Sequence, residues 1–186
     1  MISDRILTNA NIGAFILREV RRDDFLILGK FFDELSEATR NLYGPHPLDS
    51  GEAKKICLHQ PEKNKNRFIA VSKNRVIGYF LFDFDYYPNE LNRFKEFDIH
   101  LDFLKDPVFA PCISDDMQGK GIASDAMPSL IEWAKSNNLR SLVLMGGTQE
   151  PNNRARKFYN NFGFMEYGRF FTENNGVNNI DMRLLL

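Results

Sequence analysis

Six consecutive residues, Gln118-Gly119-Lys120-Gly121-Ile122-Ala123, set two glycines, a lysine and a small side chain just ahead of an amphipathic segment. The first N–H groups of a helix have no intrahelical acceptor, and the helix dipole is positive at that end. A turn of this composition therefore gathers donors around one point and stabilises an anion there. Gly119 and Gly121 let the backbone approach a phosphate closely, Ala123 keeps the first turn narrow, and Lys120 offers a charge-assisted contact. Two other phosphate motifs do not fit. A P-loop needs four residues between its first glycine and Gly-Lys-Ser/Thr, and the dinucleotide fingerprint needs a third glycine where Ser124 stands. Taken alone, the two glycines suit a plain strand-to-helix turn equally well.

A second group lies further on. Asn152, Ala155 and Tyr159 share one face of a helix, because seven residues make almost two turns, and Phe158 stands beside them. An asparagine offers both a donor and an acceptor, an alanine leaves room for a ligand, and a tyrosine with an unperturbed pKa of about 10 stays protonated at neutral pH and can donate its proton. The competing reading makes Asn152 a helix-start residue and Tyr159 a core aromatic with its hydroxyl at the surface.

These groups need elements to position them. Val108 to Ser114 has the composition of a mostly buried strand, with Pro111 demanding a bulge or an unpaired donor. A helix is predicted from about Gly121 to Ser136, with Ala123, Ala126, Met127, Leu130 and Ala134 at helical spacing; Pro128 inside it predicts a kink or an irregular first turn. Leu142 to Met145 is the next strand, and Pro151 and Gly163 bracket a helix carrying Ala155, Phe158, Tyr159 and Phe162. Upstream, Ala14 to Val20 reads as the first strand, and Asp23 or Asp24 caps a helix with Phe25, Leu28, Phe32 and Leu35 on one face. Pro45 and Pro47 make Leu42 to Pro47 a loop, and Asp49 with Glu52 starts a short helix. Phe68 to Val71 and Val76 to Tyr86 form a hairpin, Tyr87 to Lys105 leaves the sheet, and Phe164 to Phe171 with Ile180 to Leu185 closes a hairpin around Asn174-Asn175-Gly176. The expectation is a single domain over residues 1–186, α/β (α+β), with a mixed, mostly antiparallel sheet of six or seven strands flanked by helices.

The two groups together resemble the signatures of the GNAT acetyltransferase superfamily. Gln118, Gly121 and Ala123 match its Arg/Gln-x-x-Gly-x-Gly/Ala element, and Asn152-x-x-Ala155-x-x-x-Tyr159 followed by Gly163-Phe164 looks like its second element. The resemblance runs from Phe15 to Leu185, with its specific motifs between residues 108 and 164. It implies the GNAT fold and an acetyl-CoA-dependent N-acetyltransferase with no metal. It also implies that the pyrophosphate sits on Gln118 to Ala123 and that the main chain of Ile113 pairs with the pantetheine arm, with a nearby backbone N–H facing the oxyanion. Asn152, Ala155 and Phe158 complete the cofactor-binding set, and Tyr159 protonates the departing thiolate. An acceptor amine then attacks the thioester directly once it has lost a proton. Family members often supply a Glu about eleven residues before the Gln for that purpose, and here the position is Pro107. His46 becomes the candidate base, because its loop borders the acceptor site in this fold; Asp83, Asp85, Asp98, His100 and a water relay are the rivals.

Composition narrows the partners. Lys plus Arg total 24 against 25 for Asp plus Glu, so no global field attracts nucleic acid or an anionic membrane. No apolar run approaches the roughly 18 residues of a membrane span, and Met1-Ile2-Ser3-Asp4-Arg5 lacks the pattern of a secretory leader. Cys57 and Cys112 lie far apart, which fits a reducing cytoplasm, and the three histidines and two cysteines have no metal-ligand spacing. The aromatic segments Tyr79 to Tyr87 and Phe94 to Phe109 suit core, an acceptor pocket or a homodimer face. The expected partner is a small-molecule amine. A non-catalytic acyl-CoA sensing module and a protein N-acetyltransferase are the alternatives.

Overall fold

Strand β2 (Gly13–Glu19) buries Phe15 and Leu17 and exposes Ile16 between them, the period of two of a strand with one covered face. The structure, a computed structural model, describes residues 4–85, 88–173 and 176–186. Met1 to Ser3, Tyr86 at the end of the expected hairpin, Tyr87 at the start of the expected excursion, and the expected turn residues Asn174 and Asn175 lie outside the described residues. The chain forms two compact units, one of residues up to Leu81 with Pro111–Trp133, the other of Phe82–Ala110 with Ala134–Leu186.

In the first unit β2 pairs antiparallel with β1 (Arg5–Asn9) on one side and with β3 (Lys65–Ser72) on the other, and β4 (Arg75–Asp83) follows β3. Lys73 and Asn74, both at positive φ, make the two-residue turn between β3 and β4. Strand β1 is an addition to the sequence reading: among the described residues there are eight strands, against the six or seven expected.

Helix α1 (Phe25–Asp33) follows a 3-10 turn at Arg22–Asp24. Asp24 is the N-cap residue of α1, but its carboxylate bonds no N–H of that helix: it accepts two hydrogen bonds of 2.6 Å from Arg18 and one of 2.7 Å from the Arg21 N–H. The helix buries Leu28, Phe31 and Phe32 and turns Phe25 outward, which corrects the face expected from spacing. Gly29 lets α3 (Ser50–Leu58) cross closely, since a Cβ there would lie 3.2 Å from Ser50 Cβ. Asp49 caps α3, its Oδ1 accepting from Glu52 N–H at 2.7 Å. A further short helix, α2 (Glu37–Asn41), is capped by Ser36. Helix α4 (Pro88–Lys95) belongs to the second unit. Helix α5 (Ile122–Ser136) is continuous through Pro128, which stands on its exposed side. In the first unit, Trp133 at the end of its share of α5 packs edge-on against Phe68 with centroids 4.9 Å apart.

In the second unit β5 (Val108–Ile113) contributes Val108 to a parallel pairing with Val143 of β6 (Ser141–Gln149), and the order continues β6-β8-β7. Strands β8 (Val177–Leu185) and β7 (Met165–Thr172) are antiparallel to their neighbours. Leu142, Val143 and Leu144 are buried in succession, as in a strand covered on both faces. Strand β6 runs past the expected end at Met145 through an irregularity in pairing between Leu144 and Thr148. Gly146 sits in it at φ +66, where a Cβ would lie 2.5 Å from Phe170 Cζ. The buried Asp181 takes the Gly146 N–H at 2.7 Å and Arg93 Nε at 2.7 Å, and so ties α4 to β8. Asp106, fully buried, accepts from Arg140 Nε at 3.1 Å, Ser141 Oγ at 2.5 Å and Asp102 N–H at 2.8 Å. Helix α6 (Asn153–Asn161) precedes β7. Among the described residues no helix is long and apolar enough to cross a membrane.

Candidate active site

After β5 the chain makes a 3-10 turn at Asp115–Met117, extends at Gln118, and reverses through Gly119 at φ +77 and Gly121 at φ +88 before α5 begins. Both glycines occupy backbone conformations that L side chains rarely adopt. The first helical bond of α5 runs from Asp125 N–H to Gly121 O at 2.9 Å, which leaves the N–H groups of Ile122, Ala123 and Ser124 without an acceptor among the described residues. A Cβ on Gly119 would meet nothing within 4 Å, so the turn is open on that side. Lys120 is exposed, and its carbonyl accepts from Asn9 Nδ2 at 2.9 Å and Asn11 Nδ2 at 3.0 Å. Open N–H groups, glycine backbone and one exposed ammonium are what a diphosphate requires.

Gln118 is placed differently from its neighbours. Its Nε2 donates to Ile113 O and to Thr39 Oγ1, both at 3.1 Å, so the amide holds the end of β5 against α2. Asp115 reinforces the tie by accepting from Ser36 N–H at 2.7 Å, Ser36 Oγ at 2.9 Å and Thr39 Oγ1 at 2.5 Å. Desolvation works against it, but these hydrogen bonds hold the Asp115 carboxyl below the usual carboxylate range. Asp116 lies lower than usual because Arg75 donates to both of its oxygens at 2.8 Å. Sequence reasoning missed Asn9, Asn11, Thr39 and Asp115; the run Asn9-Ala10-Asn11-Ile12-Gly13 is the turn signal that marks the first two.

In the second unit Asn152 caps α6, its Oδ1 accepting from Ala155 N–H at 3.1 Å, while its Nδ2 has no partner among the described residues. Cap and ligand contact are therefore compatible roles for this side chain. Ala155 and Phe158 are half-buried. Tyr159 is buried, its ring edge-on to Phe158 at 5.0 Å and to Phe164 at 5.1 Å, and burial pushes its phenol well above the ordinary value. Its hydroxyl has no hydrogen-bond partner among the described residues. Gly163 at φ +86 ends the helix, with Phe164 N–H returning to Tyr159 O at 3.1 Å. Arg156 and Glu166, 2.9 Å apart, pin α6 to β7.

The base candidates fall in both units. Pro107 is buried and its carbonyl accepts from Val143 N–H at 3.0 Å. His46 has both ring nitrogens engaged: Nδ1 lies 2.7 Å from Pro47 O, and Nε2 lies 3.1 Å from Tyr79 Oη and 3.4 Å from Tyr43 Oη. A carbonyl can only accept, so the proton sits on Nδ1, and the Nε2 lone pair takes a tyrosine hydroxyl. Tyr79 Oη in turn accepts from the buried Arg67 Nε at 3.0 Å. Desolvation and the Arg67 charge lower the His46 pKa, which keeps the ring neutral. Asp83 is buried and accepts from Asp85 N–H at 2.9 Å; Asp98, at positive φ, and His100 are exposed.

The description "Acetyltransferase (GNAT) family" matches residues 28–164. No curated protein matches the chain by sequence. Among solved structures it is similar to the GNAT domain of PAT from S. lividans, with a TM-score of 0.72 at 17% identity over 98% of this chain and 97% of that one. It is similar to a spermidine N-acetyltransferase SpeG chimera from Vibrio cholerae and hSSAT, with a TM-score of 0.66 at 19% identity over 92% and 95%. It is also similar to RimL, a ribosomal alpha-N-protein acetyltransferase in complex with coenzyme A, with a TM-score of 0.68 at 14% identity over 98% of both chains. The chain belongs to the GNAT acetyltransferase family.

Proposed function

We propose that residues 1–186 act as a single cytoplasmic catalytic domain that transfers an acetyl group from acetyl-CoA to the primary amine of a small molecule by direct attack. The observation that carries this reading is the cradle at the start of α5: Gly119 and Gly121 at positive φ and three N–H groups of the first turn without acceptors among the described residues. Ile122, Ala123 and Gly121 offer backbone to the diphosphate, and Lys120 adds charge. The pantetheine arm is assigned to Asn152, Ala155 and Phe158 in the second unit, and the main chain of Ile113 in the first is the family-implied partner of its amides. Coenzyme A brings the acyl group as a thioester. Tyr159 holds a proton on Oη, unshared with any described residue, and delivers it to the sulfur that leaves. A backbone N–H near Ile113 stabilises the oxyanion. With proline at position 107 and the His46 Nε2 already accepting from tyrosine, the acceptor loses its proton to water.

The spermidine enzyme among the similar structures supports a polyamine as the first acceptor to test, and the ribosomal one a peptide N-terminus. Thiol release from acetyl-CoA is measured across polyamines, amino acids and peptides. Turnover on a small amine supports the reading, turnover on peptides alone makes the chain a protein acetyltransferase, and coenzyme A binding without turnover on any amine makes it a sensor. Gly121→Val separates the cofactor site from the rest, since it should abolish the thermal shift that coenzyme A produces; an undiminished shift argues against the cradle.

A further inference from the structure

The cradle is held by a segment that belongs to neither motif. The β1–β2 connection folds on Asn9, whose Oδ1 accepts from the N–H groups of Asn11 at 2.8 Å and Ile12 at 3.1 Å, and Gly13 closes the turn at φ +80. With its oxygen spent locally, Asn9 turns its Nδ2 to the cofactor turn. There it donates to Lys120 O at 2.9 Å and to Asp125 Oδ2 at 2.5 Å. Asn11 adds a second donor to Lys120 O at 3.0 Å. Asn9 is only 5% exposed, and a Cβ on Gly121 would lie 3.3 Å from its Nδ2. The asparagine is thus part of the wall against which the glycine turn is moulded.

The two groups that Asn9 holds are those that would oppose an anion. A carbonyl oxygen carries partial negative charge, and Lys120 O is the carbonyl in the middle of the turn. Asp125 lies in the first turn of α5, where a carboxylate competes with any other anion for the free N–H groups and the positive end of the dipole. The amide of Asn9 draws on both at once.

We propose that Asn9 is a positioning residue of the cofactor site: by holding the Lys120 carbonyl and the Asp125 carboxylate, it leaves the N-terminus of α5 to the diphosphate of coenzyme A. This rests on the reading of Gln118 to Ala123 as the diphosphate site, so the test compares coenzyme A with pantetheine, which has the arm and lacks the diphosphate. Dissociation constants are measured by calorimetry or competition on the full chain. In Asn9→Ala the constant for coenzyme A rises about tenfold, the loss of one hydrogen bond to a charged group, while that for pantetheine stays within about twofold. Adding Asp125→Asn to that variant recovers most of the lost affinity, because the released carboxylate is the repelling group. Asn11→Ala, a change at an exposed position, costs coenzyme A about threefold and pantetheine nothing, and it carries the comparison if Asn9→Ala does not fold.

An Asn9→Ala protein with the wild-type preference for coenzyme A over pantetheine overturns the proposal, as does equal loss for both ligands or no recovery with Asp125→Asn. Where Asn9→Ala does not fold, an Asn11→Ala protein with that same preference overturns it. A wild-type chain with no preference removes the diphosphate reading itself, a result distinct from the others.

Discussion

Replacing Tyr159 by phenylalanine removes one oxygen and tests the proton donor directly. The ring is held by edge contacts to Phe158 at 5.0 Å and Phe164 at 5.1 Å, and both survive the change. The hydroxyl hydrogen-bonds no described residue, so the typical net loss of about 1 kcal/mol for a broken hydrogen bond does not apply. The stability change should stay below about 0.5 kcal/mol, a shift in Tm of no more than about 2 °C for a chain of this size. The rate should behave otherwise. General acid catalysis contributes about 100- to 10,000-fold, or roughly 3 to 5 kcal/mol of barrier. The assay is single-turnover thiol release from acetyl-CoA with an amine that the wild type accepts, beside calorimetry with coenzyme A. The expected result is a rate at least about 100-fold lower, with coenzyme A affinity within about twofold. Burial pushes the phenol up, so the wild-type rate should show no loss from phenol ionisation up to about pH 10. An unchanged single-turnover rate would refute the role of Tyr159. A fall in Tm of more than about 5 °C would refute the account of its hydroxyl as structurally idle.

Three other outcomes follow from the same physical chemistry. Asp106→Ala removes the buried acceptor of Arg140 and Ser141 in the second unit and should cost about 1 to 3 kcal/mol, read as a lower urea midpoint. Desolvation opposes it, but hydrogen bonds from Arg140 and Ser141 hold the Asp106 carboxyl below the usual range. The stability it contributes is therefore present above the unfolded value of about 3.9 and lost as pH falls through the folded one, a loss that Asp106→Asn should remove. For His46 the depressed folded pKa means that stability is intact above about pH 6.5 and declines as pH drops below it; urea unfolding of His46→Gln should show no such decline. Burial pushes the thiols of Cys57 and Cys112 up to about 11 and about 12, so a disulfide reagent at pH 8 should label the native chain slowly and both cysteines only in denaturant.

What was legible in the amino-acid sequence divides by the range of the physics involved. Gly119, Gly121 and Gly163 could be read because a positive φ demands the residue type locally, and Asn152 because a cap acts within its own first turn. Tyr159 could be read because its burial follows from helical spacing with Phe158 and Phe162. Strand β1 could not: Arg5-Ile6-Leu7-Thr8-Asn9 is an edge strand whose Ile6 is 75% exposed, and it exists because β2 supplies its hydrogen bonds. The outward turn of Phe25 could not be read either, because helical spacing alone does not say which residues the packed face of α1 takes in. His46 was found from its loop, yet the state of its ring depends on Tyr79, 33 residues later, and through it on Arg67. Asn9 lies at the far limit of this range, because it acts on Lys120 and Asp125 more than a hundred residues away. On the proposed reading, a local motif marks where an anion can sit, while remote partners decide how strongly the site holds it. That is why the Asn9→Ala comparison bears on more than one side chain: it asks whether the glycine turn is a site by itself or only when a distant asparagine has cleared it.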